Sequence, residues 1–443
     1  MTTVFSGRSS LCPGPPGPVG PVLPVLGEGV RVPLAAGGEV EYAALDYAAS
    51  APALRSVWAD VAEFAPLYAS VHRGAGHLSQ RATDLFERGR AEVAAFLGCR
   101  AADRVVFTRS TTDSLNLLAT ALPAGTRVFV FETEHHAALL PWRRHQVTFL
   151  AAPRSPGAAV RTAGEALASA PAGVPKLLCV TGASNVTGEL WPVRELAAVA
   201  HRHGARVVLD AAQLVPHRPV DIAALGVDWV AFSGHKLYAP FGTGVLAGRA
   251  DWLDEAEPYL AGGGATRVVA RGTAGGVEVE WARGAARHEA GSPNVIGVRA
   301  VASACGALAG AGYEALAEHE ERLLGVLREG LAAVPAVREL SLFGPDAPRV
   351  AVLSFTVAGW DGAAFARALS ERYGIGVRAG LFCAQPLARL LLGETAGVGG
   401  GGGGNAGAEG CGGPSQAVRV SFGAGTPEEH VRRLVRAVRE LAG

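Results

Sequence analysis

From about Leu45 onward, short apolar segments alternate with stretches of helical periodicity, and this alternation restricts the possible folds more than any other feature. Helical stretches such as Ala82–Leu97 and Val193–His203 separate segments that predict strands. Such alternation is typical of the α/β class, in which helices cover both faces of a mostly parallel sheet. The predicted strands are Val105–Thr108, Val128–Phe131, Val147–Leu150, Lys176–Val180, Val207–Leu209 and Trp229–Phe232.

The pattern changes after about Gly310, where longer helices and single strands follow one another. With 443 residues and 49% hydrophobic content, the chain is long enough for two packed domains. We predict a large domain at residues 45–305 and a smaller α+β C-terminal domain at residues 306–443, completed by residues 26–44. The predicted elements of the small domain are helix Tyr313–Val334, strand Val350–Val357, helix Gly362–Tyr373 and strand Ala417–Phe422.

The last predicted element is a helix with clear signals at its start. Thr426 is a suitable N-cap, Pro427 fits the first helical position, and Glu429 completes a capping box. Apolar side chains then recur at helical spacing, which predicts one face packed on the small domain. These side chains are Val431, Leu434, Val435, Val438 and Leu441.

Two segments have compositions that cannot bury a core. Residues 1–25 are rich in Pro and Gly and are predicted to form a disordered tail. Residues 396–413, around the run Gly399–Gly404, are predicted to be a disordered glycine-rich insertion in the small domain.

Charge and cysteine content exclude several kinds of partner. Lys+Arg and Asp+Glu both number 40, so the formal net charge of zero indicates neither a nucleic-acid partner nor an anionic membrane surface. We find no apolar run long enough to span a membrane and no signal-peptide pattern at the N-terminus. The six cysteines are scattered without the paired spacing of a metal site, which favours a reduced, cytoplasmic protein.

A lysine and an aspartate follow two of the predicted strands. Lys236, in Ser233-Gly234-His235-Lys236, comes directly after Val230–Phe232, and Asp210 follows Val207–Leu209. Because open parallel sheets bind ligands beyond the carboxyl ends of their strands, both side chains are expected at one rim. Pyridoxal phosphate (PLP) needs this pair, since a lysine forms the Schiff base and an aspartate keeps the pyridine nitrogen protonated. Taken singly, they would be an exposed loop lysine and a helix N-cap.

Further polar residues surround the same predicted rim. Ser110-Thr111-Thr112-Asp113 precedes a helix, where hydroxyls and free N–H groups bind phosphate, although ordinary capping is equally compatible. Asp113 is expected to point away from a phosphate dianion. An imidazole of His135-His136 could stack on a flat cofactor ring, although adjacent histidines are also typical of a solvated surface. No cysteine or carboxylate constellation supports the other alternative, a metal site. Gln213 could reach the phenolic oxygen of the cofactor.

In order and spacing, these segments resemble the class V aminotransferase fold, and within it the cysteine desulfurase and selenocysteine lyase group of the SUF-system type. The resemblance runs from about Leu45 to Leu441 and is interrupted only by the glycine-rich insertion. It implies a PLP-dependent transferase of fold type I, active as a homodimer on a small amino acid. The matching segments are Leu45-Asp46-Tyr47-Ala48-Ala49-Ser50-Ala51, His72-Arg73-Gly74, Ser110-Thr111-Thr112-Asp113, Glu134-His135-His136-Ala137, Ser184-Asn185-Val186-Thr187-Gly188, Asp210-Ala211-Ala212-Gln213, Ser233-Gly234-His235-Lys236, Glu289-Ala290-Gly291-Ser292-Pro293-Asn294, Arg378, Cys383-Ala384-Gln385-Pro386 and Arg419.

The resemblance implies roles around the cofactor ring. Lys236 would be the Schiff-base lysine and later the proton-transfer group at the substrate α-carbon. Asp210 would pair with the pyridine nitrogen, Gln213 would contact the phenolic oxygen, and His135 would stack over the ring.

The same resemblance implies residues for two anionic groups. Asn185 and Arg419 would bind the substrate carboxylate, for which the planar guanidinium of an arginine is well suited. The phosphate would be held by Thr111, Ser233 and His235, with Thr112 as a further cofactor-binding residue and Ser292 reaching across from the neighbouring subunit.

Cys383 decides which reaction the resemblance implies. In the family, a cysteine here attacks the substrate sulfur, so that L-cysteine becomes L-alanine and a persulfide forms that a sulfur-acceptor protein can receive. This chemistry needs a thiolate on an accessible, mobile loop near cations. Gly380 would supply mobility and Arg378 positive charge. The alternative is a buried apolar cysteine, because Leu381-Phe382 make the loop apolar.

Departures from the family pattern lie on the substrate side. Leu381-Phe382 replace two histidines of the family's desulfurases, and Gly423-Ala424-Gly425 replace a stretch that usually includes Tyr-Asn. Transamination, epimerisation or β-elimination on another amino acid therefore stays open. A non-catalytic PLP-binding protein is disfavoured by the intact set of Lys236, Asp210 and Arg419.

Overall fold

Hydrophobic side chains pack on both faces of a central sheet in the computed structural model, which describes residues 20–272, 275–393 and 416–443. In the segment Arg127–Phe131, Phe129 and Phe131 join one buried cluster and Val128 and Val130 join another. Because side chains alternate across a strand, both faces of the sheet must be covered by helices. A further cluster forms the core of the C-terminal part of the chain.

Helices and strands follow one another along the described residues. The helices are α1 (Arg55–Phe64), α2 (His77–Phe96), α3 (Thr111–Ala121), α4 (His136–Leu139), α5 (Pro156–Ser169), α6 (Val193–Arg202), α7 (Ile222–Leu225), α8 (Asp251–Glu255), α9 (Val295–Ala311), α10 (Tyr313–Ala332), α11 (Gly362–Tyr373), α12 (Gln385–Leu392) and α13 (Glu428–Ala442). The strands are β1 (Arg31–Pro33), β2 (Glu39–Glu41), β3 (Ala43–Ala44), β4 (Arg104–Thr108), β5 (Arg127–Phe131), β6 (Gln146–Leu150), β7 (Lys176–Thr181), β8 (Ala205–Asp210), β9 (Trp229–Ser233), β10 (Gly244–Gly248), β11 (Thr266–Arg271), β12 (Val277–Trp281), β13 (Val337–Glu339), β14 (Val352–Val357), β15 (Ile375–Gly376), β16 (Arg378–Gly380) and β17 (Ala417–Ser421).

The central sheet has the strand order β4-β10-β9-β8-β7-β5-β6. Strands β5 to β9 pair in parallel, whereas β10 runs antiparallel to both β4 and β9. The predicted α/β class with a mostly parallel sheet is confirmed, and each predicted strand matches an observed one to within two residues at either end. Strand β10 was not predicted, because the glycines at both of its ends are typical of turns rather than of a strand.

The C-terminal part of the chain forms a second, antiparallel sheet of order β13-β14-β17-β16. Strand β3 pairs in parallel with β15, and Ala43 and Leu45 pack in the same core as α10, α11 and α13. The predicted domain limit after residue 305 falls inside α9, where Cys305 and Leu308 still pack on the large core.

The start of α13 differs from the prediction. The helix begins at Glu428, with Pro427 in the N-cap position and no side-chain cap. The Thr426 hydroxyl instead accepts an upstream backbone N–H and closes the preceding turn, while Glu429 pairs with an arginine further along the helix. The predicted capping box is therefore wrong, whereas the predicted apolar face does pack on the small-domain core.

The N-terminal segment joins the core earlier than predicted. The N–H groups of Val22 and Leu23 donate to the carbonyl of Ala424, and Val25 is 3% exposed in the large core. Because these contacts bury the backbone and one side chain, the predicted end of a disordered tail at residue 25 is too late. Residues 1–19 and the predicted insertion at 396–413 lie outside the described residues.

Helix length and hydropathy bear on membrane insertion. No single helix within the described ranges is long and apolar enough to cross a membrane. Helices α9 and α10 meet the length and hydropathy requirements only as a pair, with a bend of 81° between them.

Candidate active site

The carboxyl ends of β7, β8 and β9 meet the N-terminus of α3 at one rim of the central sheet. A cavity of about 230 Å³ lies at this rim, and residues of the small domain close its other side. The structure brings together every predicted site residue except Ser292. The predicted residues that line the cavity are Thr111, Thr112, His135, Asn185, Asp210, Gln213, Ser233, His235, Lys236, Arg378, Cys383 and Arg419.

One end of the cavity is rich in hydroxyl groups and lies at the N-terminus of α3. The N–H and the hydroxyl of Thr111 both lie 2.7 Å from Ser233 Oγ. The loop before α3 also lies close to β10, because a Cβ on Gly244 would be 2.5 Å from the carbonyl carbon of Ser110. A helix N-terminus with converging hydroxyls is suited to a phosphate group, provided that the acidic residue of its first turn, Asp113, points away.

Asp113 points away from this end of the cavity, as expected. Its carboxylate accepts hydrogen bonds from the backbone and side chain of Arg109 and from the hydroxyl of Tyr259. These contacts lower the pKa of Asp113 in spite of its partial burial. The carboxylate is therefore ionised but directed elsewhere.

Asp210 and Lys236 lie across the middle of the cavity. Asp210 ends β8, and its Oδ1 accepts the N–H of Ala212 at 3.0 Å, so the other oxygen is available to a ligand. Lys236 ends a single 3₁₀ turn directly after β9. Desolvation lowers the pKa of Lys236, although the negative charge of Asp210 opposes this effect. The amine is thus more easily neutral than that of an ordinary lysine, as bonding to a carbonyl carbon requires.

Glu134 is a second buried carboxyl group close to Asp210, and it was not among the predicted site residues. Its Oε1 accepts the N–H of Thr181 at 3.0 Å, while Oε2 has no partner among the described residues. Burial, and secondly the charge of Asp210, raises the pKa of Glu134 well above its ordinary value. Burial therefore favours the neutral form of Glu134, and it raises the pKa of Asp210 as well, although the charge of Lys236 opposes that second shift.

His135 lines the cavity as a neutral imidazole. Its Nδ1 accepts the N–H of Ala137 at 3.0 Å, which leaves the ring proton on Nε2. Desolvation, followed by the positive charge of Lys236, lowers the pKa of His135 to about 3. The ring can therefore pack on a flat aromatic group without adding a charge. Gln213 donates one amide hydrogen to the carbonyl of Ala48, and its other hydrogen stays available to a ligand.

The side of the cavity that is predicted to bind the substrate, the substrate side, centres on Arg419 in β17. Its Nη1 donates to the backbone carbonyl of Asn185 at 3.1 Å, and its Nη2 donates to Oδ1 of Asp46 at 2.8 Å. Nε is buried and has no partner among the described residues. Asp46 was missed from sequence, although it stands in a segment that carries the family resemblance. The predicted amide of Asn185 also lines the cavity, but one of its hydrogens goes to the carbonyl of Phe382.

Cys383 lies between β16 and α12, at the mouth of the cavity. Its backbone has a φ of 52°, and its carbonyl accepts the N–H of His136 at 2.7 Å. This hydrogen bond holds the backbone of the loop, and the mobility expected from Gly380 stays a prediction. Arg378 is exposed at the same mouth and supplies positive charge to it.

Among the described cysteines, Cys383 is the one that lines the cavity. Cys179 and Cys305 are buried, and desolvation raises the pKa of both thiols. Burial also raises the pKa of Cys99 to about 12. These three thiols are therefore poor nucleophiles at neutral pH.

Ser292 lies elsewhere, in the loop before α9. It borders a separate cavity of about 300 Å³ together with Tyr259 and Asn294. Its hydroxyl therefore does not reach the phosphate end of the cavity in its own chain.

Taken together, these features define the class of protein. A lysine after one parallel strand, an aspartate at the end of the neighbouring strand and a hydroxyl-rich helix N-terminus are the parts of a PLP-dependent enzyme of fold type I. The predicted fold type and enzyme class are confirmed by similarity to known proteins.

The model of the class V aminotransferase family matches residues 43–434, and the chain belongs to this family, which uses PLP. It is 39% identical over 355 residues to a cysteine desulfurase from Klebsiella pneumoniae (strain 342), covering 77% of this chain and 84% of that protein. It is 37% identical, with the same coverage, to a cysteine desulfurase from Escherichia coli O127:H6.

Two solved structures share the fold at higher coverage. The apo cysteine desulfurase from Thermococcus onnurineus NA1 superimposes with a TM-score of 0.78 at 30% identity, covering 91% of this chain and 95% of that chain. The Escherichia coli cysteine desulfurase CsdA superimposes with a TM-score of 0.74 at 30% identity, covering 91% and 96%. The predicted resemblance to the class V fold and its cysteine desulfurases is confirmed.

Proposed function

We propose that this chain is a cysteine desulfurase that converts L-cysteine to L-alanine and takes up the sulfur on Cys383 as a persulfide. The observation that carries the proposal is that Cys383 lines the same cavity as Lys236 and Arg419. One cavity thus contains a sulfur acceptor, an amine for the cofactor and a cation for the substrate carboxylate. The relatives named cysteine desulfurase, at 37–39% identity, support the same reaction.

The residues present fit PLP. The phosphate would lie at the N-terminus of α3, against Thr111, Thr112 and the Ser233 hydroxyl, with His235 beside it. The free oxygen of Asp210 would pair with the protonated ring nitrogen. When bound, PLP supplies a conjugated ring that withdraws electrons from the substrate α-carbon.

Lys236 would hold the cofactor and afterwards move the proton at the substrate α-carbon. Its lowered pKa makes the neutral amine accessible, as a general base requires. The neutral His135 would pack on the ring, and Gln213 would donate to the phenolic oxygen. Glu134, whose pKa is raised by burial, would add little negative charge beside Asp210.

The sulfur-transfer step would take place between Cys383 and the substrate thiol. Arg419 would bind the substrate carboxylate, with its Nε–H as the free donor, and Arg378 would add positive charge at the mouth. The thiolate attacks the substrate sulfur, the substrate C–S bond breaks, and its electron pair goes to the β-carbon, which gains a proton. L-cysteine and one thiol thus give L-alanine and one persulfide, so the step needs no external oxidant.

Product analysis tests this proposal. The PLP-loaded protein is incubated with L-cysteine, and alanine, pyruvate, ammonia and sulfide are measured, with mass spectrometry of the peptide that contains Cys383. We expect alanine in equal amount to the transferred sulfur, and one added sulfur atom on that peptide. Pyruvate with ammonia would indicate β-elimination, and a stable pyridoxamine form would indicate transamination. Either result would contradict the proposal.

Leu381 and Phe382 favour a second candidate, a related reaction on another amino acid. Both side chains are apolar, at 3% and 5% exposure, at the positions where the family's desulfurases carry histidines. Neither side chain can donate a proton to a substrate thiol, as a histidine could. A protein that ignores L-cysteine but reacts with another amino acid would support this second candidate.

We also propose a two-fold homodimer in which Ser292 completes the phosphate site of the partner. The hairpin of β11 and β12 exposes Val268 and Val277, and an isolated two-stranded hairpin is marginally stable in water. Trp58 and Phe241 form a second exposed apolar patch, with ring centroids 5.6 Å apart. A second copy of the chain could cover both surfaces. A fully active monomer at high dilution would contradict this arrangement.

Two further parts of the proposal concern the cellular context. A sulfur-acceptor protein would receive the persulfide sulfur, because a persulfide left on Cys383 would block the next turnover. The cysteines of the described residues are unpaired, which favours a reducing compartment such as the cytoplasm. Transfer to a candidate acceptor can be followed as loss of the added sulfur from the Cys383 peptide.

A further inference from the structure

Phe382 contacts the carboxylate-binding side of the cavity and is the neighbour of the thiol. Its side chain is 5% exposed, and its ring lies against the guanidinium of Arg419, with 5.1 Å between the guanidinium carbon and the ring centroid. The next residue in the chain is Cys383. One peptide unit therefore separates the ring that contacts Arg419 from the residue that carries the sulfur acceptor.

Two hydrogen bonds and the contact of the Phe382 ring with Arg419 join Asn185, Phe382 and Arg419 into one group. Nδ2 of Asn185 donates to the carbonyl of Phe382 at 2.8 Å, and Nη1 of Arg419 donates to the carbonyl of Asn185 at 3.1 Å. Nη2 of Arg419 donates to Asp46 at 2.8 Å. The guanidinium is thus held by a carbonyl, a carboxylate and an aromatic ring, while its Nε faces no partner within the described ranges.

The backbone at this point adopts an unfavourable conformation. Phe382 and Cys383 have φ values of 54° and 52°, in the left-handed region that side chains with a Cβ disfavour. Such residues persist where surrounding contacts hold them, often at functional sites. Here the contacts are the Asn185 amide on the Phe382 carbonyl and the N–H of His136 on the Cys383 carbonyl.

We propose that Phe382 is a positioning residue that joins the carboxylate-binding Arg419 to the Cys383 loop. The guanidinium that binds the substrate carboxylate and the thiol that accepts the substrate sulfur are thereby held in a fixed relative position. This inference rests on the proposed desulfurase function and adds a residue through which Arg419 acts. The attraction between a cation and an aromatic face is stronger where water is excluded. Without the ring, Arg419 keeps its contacts with Asn185 and Asp46 but loses the surface that orients its plane towards the substrate.

A packing role alone would make a different prediction. Phe382 belongs to a small apolar cluster that also contains Leu387, which is 2% exposed on α12. The variant Leu387→Ala therefore disturbs the same cluster without removing the ring that faces Arg419. It serves as the matched control for Phe382→Leu, and Phe382→Tyr serves as the variant that retains an aromatic face.

Binding of L-alanine and of L-alanine methyl ester to the PLP-loaded protein, followed by visible absorbance, separates the two roles. The ester lacks the carboxylate that Arg419 would bind. We expect Phe382→Leu to weaken L-alanine binding by about 2- to 30-fold, the range of a cation–π contact, and to leave ester binding unchanged. Phe382→Tyr and Leu387→Ala should bind L-alanine as the wild type does.

A single-turnover measurement tests the link to the thiol. With saturating L-cysteine, the rate of persulfide formation on Cys383 should fall in Phe382→Leu and stay near the wild-type rate in Leu387→Ala. Equal weakening of acid and ester binding in Phe382→Leu, or the same losses in Leu387→Ala, would overturn the proposal and leave Phe382 as a packing residue.

These outcomes are distinguishable from a failure of the proposed function. Binding of L-alanine involves no sulfur transfer, so its dependence on Phe382 can be measured in a protein that does not desulfurate cysteine. Conversely, a wild type that forms alanine and persulfide, together with a Phe382→Leu variant that binds L-alanine normally, would refute only the role of Phe382.

Discussion

The two sides of the active-site cavity are built in different ways. On the cofactor side, Asp210 and Ser233 end neighbouring strands of one sheet, Lys236 follows directly, and Thr111 begins α3 at the same rim. On the substrate side, contacts join segments far apart in sequence. Arg419 pairs with Asp46 across 373 positions.

This difference indicates on which side of the cavity a substitution can change the reaction without loss of cofactor binding. The cofactor side depends on where parallel strands end and on the free N–H groups of a helix, which are properties of the backbone fold. The substrate side depends on individual side-chain partners such as Asp46 and Phe382. We therefore expect substitutions on the substrate side to alter the reaction while cofactor binding persists. Four experiments test this comparison.

The largest effect is expected for Lys236→Ala on the cofactor side. The chain contains two lysines, and Nζ of the other, Lys176, donates to the carbonyl of His203 at 3.0 Å. Borohydride should fix the cofactor on the peptide that contains Lys236, and Lys236→Ala should lose this label. Turnover should also fall by about 10²–10⁴-fold from the loss of proton transfer alone. Lys176→Arg is the control, and a label on Lys176 would refute the assignment.

Cys383→Ser should abolish sulfur transfer on the substrate side and leave the cofactor side of the cavity unchanged. We expect the variant to keep its yellow colour and its spectral response to L-cysteine, because Lys236 and Asp210 act before sulfur leaves the substrate. Sulfide release under reducing conditions should stop, because no other described cysteine lines the cavity. Cys99→Ser, at a half-buried site elsewhere, should retain activity. Full activity of Cys383→Ser towards cysteine would exclude the persulfide mechanism.

Asp46→Asn tests the side-chain pairing of the substrate side. Arg419 is 4% exposed, so removal of its counter-charge leaves a buried cation poorly compensated. We expect the free energy of unfolding of the apoprotein to fall by about 1–3 kcal/mol in urea titrations. Asp60→Asn, which removes a half-exposed pair with Arg299, should cost less than about 1 kcal/mol. Equal effects of the two variants would contradict a special role for Asp46.

The smallest effect concerns the neutral His135. Its pKa is about 3 in the folded protein and 6.5 ordinarily, so between these values the unfolded chain binds the additional proton. Stability should therefore decrease as the pH falls below about 6.5, by at most about 1.4 kcal/mol per pH unit from this group. Urea unfolding of the apoprotein at pH 7.5 and 5.5 measures the loss. His135→Gln should show a smaller pH dependence than the wild type, and equal dependence would refute the assignment.

The fold and the cofactor side could be predicted because their signals are local. Apolar strand segments and the residues directly after them are contiguous in sequence, so Asp210 and Lys236 could be assigned to one rim. The predictions of local structure were wrong where a tertiary contact outweighed the signal in the neighbouring sequence. Thr426 has the sequence context of an N-cap, but its hydroxyl closes the preceding turn. Strand β10 lacks a strong signal of its own and forms between two stronger strands.

Two missed residues of the site stood within segments that carry the family resemblance. Asp46 lies in the stretch that begins at Leu45, and Glu134 lies directly before His135. Their positions were visible in the sequence, but their partners were not. The raised pKa of Glu134 follows from its burial beside Asp210, which only the packed sheet reveals.

The sequence by itself determined the α/β class, the placement of Asp210 and Lys236 at one rim of the sheet, and the presence of a cysteine at the position of the family's sulfur acceptor. Only the tertiary structure decided that Arg419 pairs with Asp46, that the Asn185 amide holds the carbonyl of Phe382, and that the Phe382 ring faces Arg419. The physical reason is the separation in sequence between the residues that interact. Strand and helix signals depend on neighbouring residues, whereas these contacts form where the small domain packs against the rim of the sheet.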